Sequence, residues 1–170
     1  MKLEVKDQGY MEICNFLFQE SELLDSGAFR EWLALMTDDL VYRVPLRVTK
    51  EAGQGDGFLN AMSHMDDTLY TLEKRIHRLE SEYAWAEIPP SRTRHFVSNV
   101  RVLPGEKDNE VQVHSNLLFY RSRGDSPAFD LLSGRRQDVL RFVDGQWKIA
   151  KRIVLLDQTT LATHNISFFF

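Results

Sequence analysis

The side chains best suited to metal chemistry are five histidines and one cysteine. The histidines are His64, His77, His95, His114 and His164. They stand far apart, and the sequence has neither an HxxxH pair nor a Cys/His pair at the spacing that metal ligands use. The single cysteine, Cys14, cannot build an iron–sulfur cluster or a cysteine-rich zinc site. A metal site assembled across strands stays open, but ordinary polar or surface histidines are the favoured interpretation.

A general acid/base site is the second possibility. The candidates by residue type are Asp38, Asp39, Tyr42, His64 and His95. Burial inside a curved sheet closed by helices would shift the pKa of such a group toward neutrality, where proton transfer is efficient. The sequence does not show that any two of them converge. Nucleophilic catalysis has less support, because no GxSxG elbow is present and Cys14 falls in an apolar helical pattern that predicts a buried thiol.

Three helices are predicted to support such a site. From Tyr10 to Leu24 apolar residues recur at helical spacing until Asp25-Ser26-Gly27 interrupts them, and that triplet can cap a second helix, "AFREWLALM". The apolar face of this second helix consists of Phe29, Trp32, Leu33 and Met36. A third helix is predicted from about Asp66 to Ala86, with Leu69, Leu72, Ile76, Leu79 and Tyr83 along one face. Before it, "TKEAGQGDGF" is polar and glycine-rich and predicts a loop without a phosphate-binding pattern.

Strands make up most of the rest. "DLVYRVPLRV" is β-rich, and its Pro45 predicts an edge position or a bulge. After Pro90, four strands are separated by Pro104-Gly105, Arg123-Gly124-Asp125 and Asp144-Gly145, which predicts an antiparallel meander. We therefore expect a single α+β domain over residues 1–170, with three N-terminal helices packed on a curved, mostly antiparallel sheet.

One strand, "EVQVHSNLLFY", has two unequal faces. Its apolar set, Val111, Val113, Leu117 and Phe119, can face the helices. The opposite set, Gln112, His114, Asn116, Leu118 and Tyr120, is neither cleanly polar nor cleanly apolar. A solvated face normally carries more charge, so this face predicts either a pocket inside the curve or a contact with another subunit.

The overall composition excludes several classes. A net charge of -4 and a pI near 5.7 argue against a general nucleic-acid binder, which would show clustered Lys and Arg. The first twenty residues lack the features of a secretory signal, and no apolar run is long enough to span a bilayer. With one cysteine and no signal, the predicted location is the cytoplasm.

Four blocks carry a family resemblance: "PPSRTRHFVSNVRV", "LLFYRSRGD", "LLSGRRQDVLRF" and "KIAKRIVLLDQTTLATHNISFFF". The sequence resembles the β (small) subunits of bacterial aromatic-ring-hydroxylating dioxygenases, the Rieske non-haem iron oxygenases. The likeness runs in order along nearly the whole chain, and the loop around Gly53 to Gly57 is its least typical part. It implies a cone-like fold resembling nuclear transport factor 2, which agrees with the predicted order of elements.

The resemblance also implies partners and cofactors. It implies an α3β3 hexamer in which a Rieske-type α subunit carries the [2Fe-2S] cluster, the mononuclear iron and the substrate pocket, while β holds the α subunits in register. A reductase and often a ferredoxin would bring electrons from NAD(P)H, and O2 would convert an aromatic ring to a cis-dihydrodiol. No catalytic, cofactor-binding or metal-binding residue is therefore predicted in this chain.

Two alternatives stay open at this point: a free-standing isomerase or dehydratase with its acid/base site inside the cone, and a ligand-binding module. If the chain is a scaffold, its contact residues are expected in the blocks that most resemble the family. Arg and aromatic residues are favoured there, because interfaces between subunits are enriched in them. The predicted contact residues are Arg94, His95, Arg135, Arg136, Asp157, Phe168, Phe169 and Phe170. We expect the apolar ending to continue the last strand, "QWKIAKRIVLLDQTT", and to be covered either by a partner or by the chain itself.

Overall fold

A computed structural model describes residues 7–82 and 84–170. Three α-helices are present: α1 (Asp7–Asp25), α2 (Phe29–Leu33) and α3 (Leu69–Glu80). A 3-10 turn, Trp85–Glu87, follows α3. The six strands are β1 (Met36–Arg47), β2 (Phe58–Asp67), β3 (Arg92–Pro104), β4 (Glu110–Ser122), β5 (Phe129–Val143) and β6 (Gln146–Leu156).

All six strands form one sheet in the order β2-β1-β6-β5-β4-β3. Neighbours are antiparallel except β1 and β6, which are parallel. The α+β fold with helices on a curved, mostly antiparallel sheet is thus confirmed. So is the meander from β3 to β6, whose last hairpin turns at Asp144-Gly145 with both φ angles positive, at 51° and 81°. An Asp-Gly pair suits that turn because its mirror-image twist matches the twist of the flanking strands.

Strand β2 is the main element that sequence patterning missed. The prediction assigned residues 66–67 to the third helix and gave the preceding stretch no strand. As an edge strand, β2 buries only Phe58, Met65 and Asp67, so it lacks the apolar alternation that marks a half-buried strand. The third helix starts instead at Leu69, because Thr68 forms a capping box with Thr71. It ends at Glu80, and Tyr83 lies outside the described residues.

The structure also tests the predicted end of the second helix and the predicted position of Pro45. Helix α2 stops at Leu33, and Met36 begins β1 instead of extending the helix. Strand β1 lies between β2 and β6, so Pro45 is not on an edge strand. The register with β2 shifts on either side of Pro45, which confirms the bulge.

The helices cover the inward face of the sheet. Along β4 the alternate residues Val111, Val113, Leu117 and Phe119 are buried, as predicted. Helix α1 packs against β3 and α2, and α3 packs against β1. On α1 the buried face includes Ile13, Cys14 and Leu17. Within the described residues, no helix is long and apolar enough to cross a membrane.

Candidate functional site

The inside of the cone, where an acid/base site was expected, contains the end of the chain. After Leu156 residues 157–170 form no regular secondary structure, so the prediction that the ending continues the last strand is wrong. Phe168, Phe169 and Phe170 are 4%, 2% and 0% exposed within this one chain. The ring of Phe168 stacks on Phe119 with centroids 4.5 Å apart, and the ring of Phe169 stacks on Trp32 at 4.8 Å. The chain itself therefore covers its apolar ending.

A fully buried charge cluster lies against this ending. Arg152 makes paired hydrogen bonds to Asp138, both 2.8 Å, and paired hydrogen bonds to Glu20. Trp32 donates a third bond to Glu20, from Nε1 to Oε1 at 3.0 Å. Burial alone would raise the pKa of Glu20, but the charges of Arg152 and Arg136 outweigh it and hold that pKa at about 2. The two carboxylates and two guanidiniums are therefore mutually neutralising.

Residues from three distant parts of the sequence build this cluster. On β5, Arg136 and Asp138 occupy the inward positions between Gly134 and Leu140, and Arg152 occupies an inward position on β6. From the sequence, Arg136 was predicted only as an interface residue, and Glu20, Asp138 and Arg152 were not identified. The available signal was a charge at each position where the strand alternation calls for an apolar residue.

Tyr42 connects the charge cluster to the end of the chain. Its hydroxyl accepts a hydrogen bond from the Phe170 amide at 2.7 Å and donates one to the Phe170 carbonyl oxygen at 3.1 Å. Arg152 Nη1 donates to the same carbonyl oxygen at 2.9 Å. Burial raises the pKa of the Tyr42 phenol well above its usual range. The hydroxyl is therefore neutral and fully engaged by the main chain.

His95 holds the ending from the other side. Its Nδ1 lies 2.5 Å from Asp25 Oδ1, and its Nε2 lies 2.9 Å from the carbonyl oxygen of Phe169. Burial favours the neutral Asp25 carboxyl, but hydrogen bonds from the His95 ring and amide outweigh it and lower the pKa of Asp25. The Asp25–His95 pair therefore binds the main chain of the ending at Phe169.

A second arginine anchors the segment before the phenylalanines. Arg121 Nη2 lies 2.5 Å from Glu87 Oε1, and its guanidinium carbon lies 5.2 Å from the centre of the Phe168 ring. Ser167 also donates to Glu87, at 2.5 Å. The ending is thus bound by aromatic stacking and by hydrogen bonds, and the Asp25–His95 and Glu87–Arg121 pairs lie on either side of it.

The five acid/base candidates do not converge into one site. Tyr42 and His95 both meet the ending, through Phe170 and Phe169 respectively. Asp38 is exposed, and Asp39 is bound by Arg141, with Nη1 at 2.8 Å from Oδ1. Hydrogen bonds from Arg141 and Thr37 lower the pKa of Asp39 to about 2, which makes it a poor proton acceptor near neutral pH. His64 lies on the edge strand β2.

Two clefts open beside the ending, with volumes of about 410 and 380 Å³. Both are lined by Glu87, Phe168 and Phe169, and neither is lined by Glu20, Tyr42 or Arg152. The phenylalanines therefore separate the clefts from Glu20 and Arg152, whereas Asp25 and His95 line the smaller cleft. Among the residues that the structure describes, no three His, Cys, Asp or Glu side chains gather as a metal site would require.

The eight predicted interface residues divide into two groups. Arg94, Arg135 and Asp157 are exposed and can contact another chain. The others, His95, Arg136 and the three terminal phenylalanines, are buried within this chain. The mixed face of β4 lies on the outside of the sheet, where Leu118 pairs with Phe96 of β3, and both side chains are exposed. Of the two readings of that face, a pocket inside the curve is therefore wrong.

Comparison with known proteins gives a consistent result. Residues 19–163 match the family model described as "Ring hydroxylating beta subunit". The biphenyl 2,3-dioxygenase subunit beta of Rhodococcus jostii is 37% identical over 164 residues, covering 94% of this chain and 87% of the relative. The benzene 1,2-dioxygenase subunit beta of Pseudomonas putida is 36% identical with the same coverage.

A solved structure extends the likeness to the fold. A chain of naphthalene 1,2-dioxygenase with indole bound in the active site superposes with a TM-score of 0.87 at 23% identity, covering 99% of this chain and 90% of that one. Superposition on a putative scytalone dehydratase from Novosphingobium aromaticivorans is weaker, with a TM-score of 0.66 at 20% identity and coverage of 91% and 88%. The cone-like fold is therefore shared with proteins of more than one function.

Proposed function

Because the chain belongs to the family of aromatic-ring-hydroxylating dioxygenase β subunits, we propose that its work is structural and that it holds catalytic α subunits together in an α3β3 oxygenase. One observation supports this most directly: the interior of the cone is filled by the chain's own ending. Phe168, Phe169 and Phe170 occupy that space, and their main chain uses the hydrogen-bonding groups of Tyr42 and His95. A substrate would have to displace these rings to reach Tyr42. His95 borders the cleft of about 380 Å³, but its two ring nitrogens already bond Asp25 and the Phe169 carbonyl oxygen.

The alternative of an isomerase or dehydratase inside the cone is not favoured. General acid/base catalysis needs a group that is free to exchange a proton with substrate at a pKa near the working pH. Glu20, with its pKa held at about 2, remains ionised in two ion pairs. Tyr42 has a raised pKa and two bonds to Phe170. Each is committed to the fold.

The iron groups of the oxygenase would belong to the partner. A Rieske cluster needs two Cys and two His ligands, and this chain has one cysteine, Cys14, which is buried on α1. The residues present do not fit such a cluster, and no step of the reaction passes through them. The α subunit would supply the cluster, the mononuclear iron and the pocket for an aromatic ring, in the class of benzene and biphenyl named for the relatives. The assembly would work in the cytoplasm, receiving electrons through a reductase or ferredoxin.

Exposed residues of this chain supply the contact surface in this proposal. Arg94, Arg135 and Asp157 are the charged members, and Phe96 and Leu118 are the apolar ones. Exposed aromatic and Arg side chains are typical of interfaces between subunits. Buried members of the predicted set, such as Arg136, would act on assembly only by setting the shape of the subunit.

Co-expression with the Rieske-type α subunit tests the proposal. Light scattering after size-exclusion chromatography should give the mass of three copies of each chain, and oxygenation of the aromatic substrate should require both chains. Substitution of Phe96 and Leu118 by Asp should release α from β, whereas Met62→Asp, at an equally exposed apolar residue of edge strand β2, should leave the complex intact. An α subunit that assembles and works fully without this chain would overturn the proposal, as would turnover by the isolated chain.

A further inference from the structure

A bulge in β3 opens a concavity in the sheet, away from the ending of the chain. Ser98 pairs with Asn116 and Arg101 pairs with His114, so two residues of β3 stand opposite Ser115 alone. The first of the two, Asn99, has a positive φ of 53°. A bulge of this kind interrupts the ladder and re-aims side chains. Here it leaves a cavity of about 240 Å³ between β3, β4 and β5.

The lining of this concavity is cationic. Two exposed arginines, Arg101 and Arg135, line it together with His114. Arg136 also borders it, but its guanidinium lies on the inner side of the sheet, near Glu20. The remaining four are neutral hydrogen-bonding residues, namely Asn99, Ser115, Asn116 and Gln137. No carboxylate lines it, although acidic residues outnumber Lys and Arg by 25 to 21 in the whole chain. Two exposed arginines with no carboxylate beside them need an explanation in an acidic protein.

The arginines at this concavity make few hydrogen bonds or ion pairs with described residues. Within the described residues, the exposed side chains of Arg101 and Arg135 make no hydrogen bond or ion pair, in contrast to Arg141, which binds both Asp39 and Glu110. Arg136 is completely buried, and its one hydrogen bond to a described residue runs from Nε to Ser115 Oγ at 3.3 Å.

The two outer nitrogens of the Arg136 guanidinium have no hydrogen-bond partner in the part of the chain that the structure describes. The ion pair that Nη1 makes with Glu20 is long, at 3.6 Å, and Arg152 already holds that carboxylate more closely. These nitrogens lie near Glu20 on the inner side of the sheet, so Arg136 adds positive charge behind the concavity but does not itself face an occupant.

We propose that this concavity is a binding site for a small oxyanion, a phosphate or carboxylate group, held chiefly by Arg101 and Arg135. The planar guanidinium donates two parallel hydrogen bonds to such groups, and the neighbouring Asn and Ser side chains offer further donors. The volume of about 240 Å³ is below the range typical of sites for drug-sized molecules and suits one oxyanion group. The anion would supply the acceptors and the negative charge that the chain itself lacks at this point.

The same oxyanion chemistry has two sources, a dissolved anion or an acidic side chain of a neighbouring subunit. The first arm of the test uses the purified full chain and titrates it with sodium phosphate and with citrate by calorimetry at constant ionic strength. Binding that weakens at least about tenfold in Arg101→Gln and in Arg135→Gln would identify a dissolved anion. The control is Arg78→Gln, which makes the same change at an exposed arginine of α3 outside the concavity and should bind as the wild type does.

The second arm uses the complex with the α subunit and so rests on the proposed function. If the chain alone binds neither anion, Arg101→Glu and Arg135→Glu should each raise the dissociation constant of the complex at least about tenfold, and Arg78→Glu should not. That result would identify a partner's carboxylate as the occupant. Absence of anion binding together with unchanged assembly of both Glu variants would overturn the site. The scaffold role would survive that outcome, because the mass and activity of the wild-type complex test it separately.

Discussion

Deletion of residues 168–170 should unfold this chain instead of merely weakening its assembly. Burial of one Phe side chain contributes about 1.5 to 3 kcal/mol, so the three rings contribute about 5 to 9 kcal/mol together. The deletion would also remove acceptors from Arg152, Tyr42 and His95, whose donors would be left unpaired in the core. Because domains of this size are stable by only about 5 to 15 kcal/mol, little folded protein should remain.

A graded substitution makes the same reasoning quantitative. Phe169→Ala removes one ring that stacks on Trp32 and should lower the free energy of unfolding by about 3 to 5 kcal/mol. Phe96→Ala is the matched control, because its ring is 53% exposed, and it should cost about 1 kcal/mol or less. Urea unfolding followed by circular dichroism measures both variants beside the wild type.

Two results would refute this reasoning. One is a shortened chain that keeps the unfolding midpoint of the wild type and loses only its association with α. The other is an equal loss of stability in Phe169→Ala and Phe96→Ala. Either would mean that a partner, and not the chain's own core, covers the ending.

Three further predictions concern the buried charges. Glu20→Gln should lower the free energy of unfolding, measured in urea, by about 3 to 5 kcal/mol, because it removes a negative charge that neutralises Arg152 and Arg136. The control Glu22→Gln, on the exposed side of α1, should change it by about 0.5 kcal/mol or less. Since the pKa of Glu20 falls from 4.5 to about 2 on folding, its stabilisation is present above about pH 4.5 and is lost as the pH falls toward 2. The wild type should therefore lose about 3 kcal/mol more than Glu20→Gln between pH 5 and pH 2, and parallel pH profiles would count against a charged Glu20. A double-mutant cycle of Asp25→Asn and His95→Gln should give a coupling free energy of about 1.5 to 3 kcal/mol. A value near zero would show that the contact between Asp25 and His95 does not stabilise the fold.

Local signals in the sequence were sufficient for much of the fold. The turn at Asp144-Gly145 and the alternation along β4 depend on neighbours in the chain, so the meander and its buried face could be predicted. Strand β2 could not, because an edge strand with few buried side chains carries little periodicity. The family could be recognised because four blocks of residues occur in the expected order.

The candidate site was less predictable than the fold. Tyr42 and His95 were identified by residue type, yet the structure shows that both serve the ending of the chain and not a substrate. Arg136 was identified as a contact residue, yet it lies buried beside Glu20. Residue type indicates what a side chain can do, whereas its partners decide what it does.

The sequence by itself determined the class of fold, the run of antiparallel strands and the family, since each depends on short-range patterning or on ordered motifs. Only the tertiary structure decided that residues 157–170 end inside the cone and fill the space where an acid/base site was expected. Tyr42 meets Phe170 across 128 positions of the chain, and Arg152 meets Glu20 across 132. A contact of that separation leaves no periodic trace in either segment, because it exists only after the sheet has curved and the helices have closed over it.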